Sequence, residues 1–344
     1  MLIKKPRIPL AQIFLIGLLP SFIKVLIYRL KGFKIQKKVK IGIGSVIISK
    51  EVEIGEKTNI GFGTVIRANK IRIGRFVRIG SMTFIDTGSF EIDDDSKINE
   101  QVLIAGIKRP ESGLTLGKRT TIMEYSYINP TMPIEIGDDS GIGGHCLLFT
   151  HGSWLNQLDG FPVKFAPIKI GKNVWLPWRV FIMPGVEIGD NVVIGANSLI
   201  NQSFSSNLLL AGSPAKIIKE NFPEKPDQKI RKKIMLSIIN DFINHLEHEG
   251  LSVEKIETDK EYLLKIFRKN KLYQLHYILE FTQSLSEINI DRNSVLLFDF
   301  KPMDMPSKGM ILDLYNKKRS RENELGEEFV KFLSRYGIRF DRKD

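Results

Sequence analysis

Two histidines and one cysteine stand close together in the stretch IGDDSGIGGHCLLFTHGS, residues 136–153: His145, Cys146 and His151. A neutral imidazole can take a proton from an attacking group at pH 7, and a thiolate can attack an electrophile itself, so the cluster offers a general base or a covalent nucleophile. His145 lies three residues after Ile142, and His151 three after Leu148, so spacing does not separate them. Context does. His151 borders a non-repetitive excursion, Trp154 to Pro167, that can wall a pocket, whereas His145 has regular sequence on both sides. Cys146 falls four after Ile142, a position where other units carry a small residue and where a buried cysteine fills space.

These residues are carried by a repeat. Aliphatic residues stand at 41, 47, 54, 60, 66, 73, 79, 85, 92, 98 and 104, in steps of six, seven and six that make laps of 19 residues. The pattern breaks at about 105 to 115, resumes at Leu116, Ile122 and Ile128 and again at Ile136, Ile142 and Leu148, and ends in Ile170, Leu176, Ile182, Ile188, Ile194 and Ile200 at an unbroken six. Glycine often follows the aliphatic residue (Gly55, Gly61, Gly74, Gly80), and a small residue often comes four after it (Ser45, Thr58, Thr64, Thr83, Ser89, Ser96). A helix would rotate a period-six residue through every face. Three short strands per lap of a triangular prism accommodate it, each sending one branched side chain inward, with glycine relieving the corner. Laps stacked about 4.8 Å apart give roughly eight coils and a prism on the order of 40 Å long.

The diagnostic sequences are the 136–153 stretch, IKIGKNVWLPWRVFIMPGVEIGDNVVIGANSLI at 168–200 and AGSPAK at 211–216. With these motifs the chain resembles the hexapeptide-repeat acyltransferases, in particular the maltose, galactoside and xenobiotic acetyltransferase branch, over residues 41–220. The resemblance implies that the coils wind left-handed and that acetyl-CoA is the acyl donor. It implies His151 as the base, with direct transfer and no covalent enzyme intermediate. It places Ala196 on the donor groove and Lys216 and Lys219 where the CoA phosphates would lie, with Trp175 flanking substrate or the excursion. Two departures bear on the donor: Leu176-Pro177-Trp178 narrows the groove beside the expected thioester, making Trp178 a donor contact, and Asn201-Gln202 replaces a common Thr-Lys pair. The family further implies a homotrimer with each site between two prisms, and a saccharide acceptor, the hydroxyl of a capsule, exopolysaccharide or O-antigen sugar. An amino-sugar N-acetyltransferase and a non-catalytic β-helix are the alternatives. No metal-ligand constellation is evident.

Charge and composition frame this core. The chain of 344 residues has a formal charge of +12, and residues 1–40 hold ten Lys and Arg with no acidic residue, so the basicity is local. No zinc-finger spacing or stacking-aromatic motif accompanies it, which argues against nucleic acid. Within that segment Ile8 to Ile23 is free of charge for 16 residues, short of the ~20 that a membrane-crossing helix needs. Phe22, Val25, Leu26 and Leu30 can share one helical face, with Lys24, Arg29 and Lys31 elsewhere, as in a segment lying on an anionic membrane; packing on the protein itself is the alternative. The single cysteine fits a reduced, cytoplasmic setting, peripheral on the inner membrane face if the segment binds lipid. Past Pro223 and Pro226 the repeat stops. Residues 228–249 have helical spacing with Ile230, Ile234, Ile238, Phe242 and Leu246 on one face, strands follow at Leu272–Phe281, Ser294–Phe300 and Met310–Tyr315, and a helix closes at Glu322–Tyr336. Lys317, Lys318, Arg319 and Arg321 read mainly as a solvated charge run. The expected class is mainly β: a basic apolar helical segment at 1–40, a left-handed parallel β-helix at 41–220 and a small α+β domain at 221–344.

Overall fold

A computed structural model describes residues 9–152, 155–279, 285, 288, 290–302, 306 and 308–342. The chain divides into two compact units between Glu224 and Lys225.

The first unit is a left-handed parallel β-helix. Each lap contributes one short strand to each of three sheets. Sheet 1 has eight strands from Lys34–Ile35 to Glu187–Ile188, sheet 2 has ten from Lys40–Ile41 to Ala215–Glu220, and sheet 3 has eight from Val46–Ile48 to Leu199–Ile200. Pairing is offset by one lap, with Ile54 on Ile73, Ile60 on Ile79 and Ile66 on Ile85. Every aliphatic residue of the period-six series is buried, in one continuous core. The seven-residue step lengthens sheet 1, whose strands send in two side chains rather than the expected one, as Val52 with Ile54 and Phe90 with Ile92.

The glycines do a different job from the one expected. Gly55, Gly61, Gly74 and Gly80 have no left-handed backbone; a Cβ on Gly55 would lie 2.5 Å from the Arg75 backbone nitrogen, and one on Gly80 2.4 Å from the Asn99 carbonyl carbon. They allow consecutive laps to approach. The left-handed residue at two corners of each lap comes two positions later and is usually not glycine: Lys57, Phe76 and Asp95 at one corner, Met82, Tyr125, His145 and Arg179 at the next. Each such residue costs about 1–2 kcal/mol, which the stacked laps offset. The small residue one further on closes the buried hydrogen-bond account. Thr58 Oγ1 donates to the Gly74 carbonyl (2.8 Å), Thr64 Oγ1 to Gly80 (2.7 Å) and Ser126 Oγ to Gly143 (2.9 Å), while the Thr64 amide donates back to Ser45 Oγ (2.8 Å).

Outward-facing rows differ between sheets. Along sheet 1 the register stacks Glu53, Arg72, Glu91, Thr115, Glu135, Lys169 and Glu187. Along sheet 3 it stacks Phe84, Leu103, Tyr127, Leu147, Phe181 and Leu199. One face is charged and another apolar.

The N-terminal segment closes the first coil. A short helix Leu10–Gln12 runs into a π-helical turn Ile13–Gly17, and Ser21–Leu30 forms the main helix. No single helix is long and apolar enough to cross a membrane, and the two parts meet at 112°. The charge assignment made from sequence is corrected here: Lys24 is fully buried, its Nζ donating to the carbonyls of Gly42 (2.5 Å) and Ser45 (3.1 Å), and Arg29 donates to the Ile35 carbonyl (2.7 Å). Burial lowers the Lys24 pKa from its ordinary value. Tyr28 and Ser21 accept the Ile47 and Ile41 amides at 2.9 Å each. An exposed sheet edge presents unpaired backbone groups, and this helix supplies side chains that pair them.

The second unit is a seven-stranded sheet from Ser252–Glu257 to Asp341–Arg342, with helices Gln228–His248 and Glu324–Leu333. Two strands were not anticipated, Ser252–Glu257 and Glu261–Arg268, a hairpin whose second strand alternates in burial. The first helix also turns differently from expectation: Ile230 and Ile234 are exposed, and Met235, Ile238, Ile239, Phe242 and Leu246 are buried. Of the basic cluster, Arg319 is buried and donates to Glu327 (2.9 Å), so it is not solvated. The expected strand Leu272–Phe281 runs over Lys271–Ile278, its last two positions lying outside the described residues.

Candidate active site

His151 stands where the repeat is interrupted. After the sheet 3 strand Leu147–Phe149, the chain leaves the prism as the strand His151–Gly152, which pairs antiparallel with Lys164–Phe165. Thr150 pins the base of this hairpin. It is buried, its hydroxyl donates to the Asn129 carbonyl (2.7 Å) and accepts the Met132 amide (2.9 Å), and its carbonyl accepts the Ala166 amide (3.0 Å). The His151 ring stacks on Phe165 with centroids 5.7 Å apart and planes at 12°. Its Nδ1 is buried with no hydrogen-bond partner, which leaves Nε2 as the nitrogen open to a reacting group. Arg109 lies over the same Phe165 ring at 5.1 Å. Arg109 belongs to the other break in the repeat, so the two interruptions converge on one aromatic ring. Phe165 and Arg109 were not singled out from sequence; only the register brings position 109 beside position 165. Trp154, the expected start of the excursion, lies outside the described residues.

His145 matches His151 in count but not in conformation. It occupies a left-handed corner at φ 56° and sits between Tyr125 of the coil below (5.1 Å) and Trp178 of the coil above (5.6 Å). Cys146 fills the hydroxyl position of its lap: it is fully buried, its Sγ donates to the Pro177 carbonyl (3.0 Å), and its amide donates to Ser126 Oγ (3.2 Å). Burial pushes the thiol up to about 11. At neutral pH it is a protonated packing group, unsuited to nucleophilic attack.

The residues expected at the donor site gather at the corner between sheets 2 and 3. The Trp175 ring lies on Gly141 and that of Trp178 on Gly144, where a Cβ would meet the indoles at 2.6 and 2.5 Å; a Cβ on Gly143 would meet the Pro177 backbone at 2.6 Å. This explains the run Gly-Ile-Gly-Gly, which sequence reasoning left without a reason. Ala196 is exposed and stacks one lap above Trp178, as the Asn197 amide donating to the Trp178 carbonyl shows (3.0 Å). The hairpin above pairs Ala211 with Lys216, and a Cβ on Gly195 would approach the Ala211 Cβ at 2.9 Å, so Lys216 is at the top of this edge. Lys219 is three residues further along and donates to Glu224 (2.8 Å), which lowers the pKa of that carboxylate. Trp178, Ala196 and Lys216 are therefore brought together, and His151 is not among them. It lies at the other edge of sheet 3, six residues away along a strand and so up to roughly 20 Å distant. Among the described residues no group of three or more His, Cys, Asp or Glu side chains could hold a metal ion.

Residues 167–202 match the family described as Bacterial transferase hexapeptide (six repeats). Over 130 residues the chain is 31% identical to the putative colanic acid biosynthesis acetyltransferase WcaF of Escherichia coli (strain K12), spanning 36% of this chain and 69% of that protein. This chain belongs to the hexapeptide-repeat acetyltransferase family. The putative lipopolysaccharide biosynthesis O-acetyl transferase WbbJ of the same organism is 33% identical over 110 residues, 29% of this chain and 56% of that protein. Among solved structures, the hexapeptide-repeat acetyltransferase VCA0836 of Vibrio cholerae O1 biovar eltor, complexed with acetyl coenzyme A, is 24% identical with a TM-score of 0.28, covering 49% of this chain and 71% of that one. The protein is thus an acetyltransferase related to polysaccharide O-acetyltransferases, and the non-catalytic β-helix is set aside.

Proposed function

We propose that this hexapeptide-repeat acetyltransferase moves an acetyl group from acetyl-CoA to a hydroxyl of a bacterial surface polysaccharide or its precursor, with His151 as general base. The relatives named for colanic acid and lipopolysaccharide biosynthesis support the acceptor class and the O-linkage. In the step, the sugar oxygen attacks the thioester carbonyl as His151 Nε2 takes its proton, the carbon–sulfur bond breaks, and the proton passes to the departing CoA thiolate. Transfer is direct, because Cys146 is held protonated. On the donor side, the exposed Trp178 indole and Ala196 suit the apolar and amide-bearing arm of CoA, and Lys216 its phosphates. Lys219, already paired with Glu224, contributes less.

The observation that carries the mechanism is the separation of the base edge from the donor edge by the apolar face of sheet 3. If copies pack around a threefold axis, that row is covered and the His151 edge of one prism meets the donor edge of its neighbour. Light scattering should then give about three times the 39.2 kDa chain mass. A mixing experiment tests the shared site: His151→Ala and Ala196→Trp chains, each inactive alone, are unfolded together and co-refolded one to one. Random trimers hold an intact site at about a quarter of their interfaces, so thiol release from acetyl-CoA with a glycan acceptor should return to about a quarter of wild type. No recovery in a mixed trimer would place both edges of the site within one chain and overturn the arrangement.

A further inference from the structure

The Ser21–Leu30 helix is amphipathic the wrong way round for a helix of a soluble surface. Its protein-facing stripe carries Ser21, Lys24 and Tyr28, each hydrogen-bonded to the first coil, with Val25 packed on the core among them. Its outer ridge is apolar, Phe22, Leu26 and Leu30 at a spacing of four. The preceding turn extends it with Phe14, Leu15 and Leu18, so that six large apolar side chains are each between 55% and 80% exposed. Soluble proteins rarely leave such a group open to water without a partner. Beside the ridge lies a groove of about 1070 Å³ lined by Phe22, Leu26 and Ile43 together with Lys37, Lys38 and Lys40. Lys31, Lys37, Lys38 and Lys40 are exposed, and no acidic residue precedes Glu51 in the sequence.

We propose that residues 10–40 form a rigid face that docks this protein on an anionic lipid bilayer, the apolar ridge entering the headgroup boundary and the lysines meeting lipid phosphates. The cap on the first coil holds the face in place: its buried polar contacts fix the helix, so its backbone need not be ordered on binding. Charge complementarity selects the occupant. A second copy of the same face would bring Lys31, Lys37, Lys38 and Lys40 against their counterparts, and Glu53 of the next lap is already paired with Lys34, whereas an anionic leaflet supplies the opposite charge, each lysine adding about fivefold to partitioning. The 112° bend and the short helices fit a segment lying along the surface.

The test uses the full chain and vesicles of phosphatidylcholine alone or with phosphatidylglycerol. The wild type should sediment with the anionic vesicles and much less with the neutral ones. Lys37→Gln/Lys38→Gln/Lys40→Gln should weaken anionic binding by about a hundredfold. Leu18→Ser/Phe22→Ser/Leu26→Ser should abolish it while Tm and the mass by light scattering stay at wild-type values. Wild type left in the supernatant with anionic vesicles, or the apolar variant still sedimenting, overturns the proposal. A fall in oligomer mass in the apolar variant also overturns it, because the ridge is then a contact between copies.

Discussion

Two corners of one coil, six residues apart, use histidine in opposite ways. At His145 the chain repeats what the laps below and above do, with a left-handed turn, a stacked ring on either side and the next residue closing the hydroxyl ladder. At His151 the repeat stops, the strand leaves the prism, and the imidazole stacks on a hairpin partner, Phe165, over which Arg109 of the second interruption lies. In the regular coil the His145 ring is exposed and meets only its stacked neighbours, whereas the interruption lays the His151 ring on a hairpin partner and buries its Nδ1. In this molecule repetition supplies rigidity, and its breaks gather His151, Phe165 and Arg109 in one place.

The comparison breaks most visibly on the two histidines. His151→Ala should lower kcat by about a hundred to ten thousandfold with Tm unchanged, since general base catalysis contributes that much and the hairpin is outside the core. If kcat survives there and collapses in His145→Ala, the assignment of the two corners is reversed.

Next in size is a backbone collision in the regular corner. Gly143→Ala should destabilise the β-helix by about 1–3 kcal/mol, because its methyl meets Pro177 backbone that stacking holds in place. Gly144→Ala meets only the outer edge of the half-exposed Trp178 ring, so it should leave Tm nearly intact and instead raise KM for acetyl-CoA; thermal melts beside steady-state kinetics distinguish the two.

Phe165→Ala sharpens the irregular corner. Loss of one stacking partner, worth about 0.5–1.5 kcal/mol, should reduce kcat up to about tenfold with little change in KM, and Phe165→Tyr should restore it. An unchanged kcat in Phe165→Ala would mean that the ring does not orient His151.

The smallest effect belongs to Cys146. Serine can take over its place in the hydroxyl ladder, so Cys146→Ser should keep kcat within a few fold at pH 7. The folded thiol is pushed up to about 11 from an ordinary 9.0, so the native state holds its proton where the unfolded chain gives it up. Its contribution to stability is complete below pH 9 and falls as pH rises toward 11. Denaturant titrations at pH 7 and 10.5 should show the wild type losing more stability than Cys146→Ser; equal losses would refute the burial argument.

Much of this was legible in order of residues. The period of six identified one buried aliphatic per strand but not the second row that sheet 1 sends inward, such as Val52, Ile71 and Ile134, and the departure from period located His151, because a fold that stacks identical laps leaves a mark wherever it is broken. Other features were visible but misassigned. The glycines after the aliphatics look like turn residues, and only the distance to the next lap reveals that they prevent collisions. Lys24 looks like a surface cation, and only the carbonyls of the first coil that accept its ammonium explain its burial.

The amino-acid sequence by itself determined the prism, its core and the position of its interruptions, since these depend on side-chain volume and polarity recurring along the chain. The tertiary structure alone decided which residues meet: Arg109 with Phe165, Trp178 with Gly144, and an apolar row of sheet 3 lying between the corners that carry Trp178 and His151. Those contacts depend on the register between laps, and the two breaks in the repeat shift that register by amounts that no local pattern records.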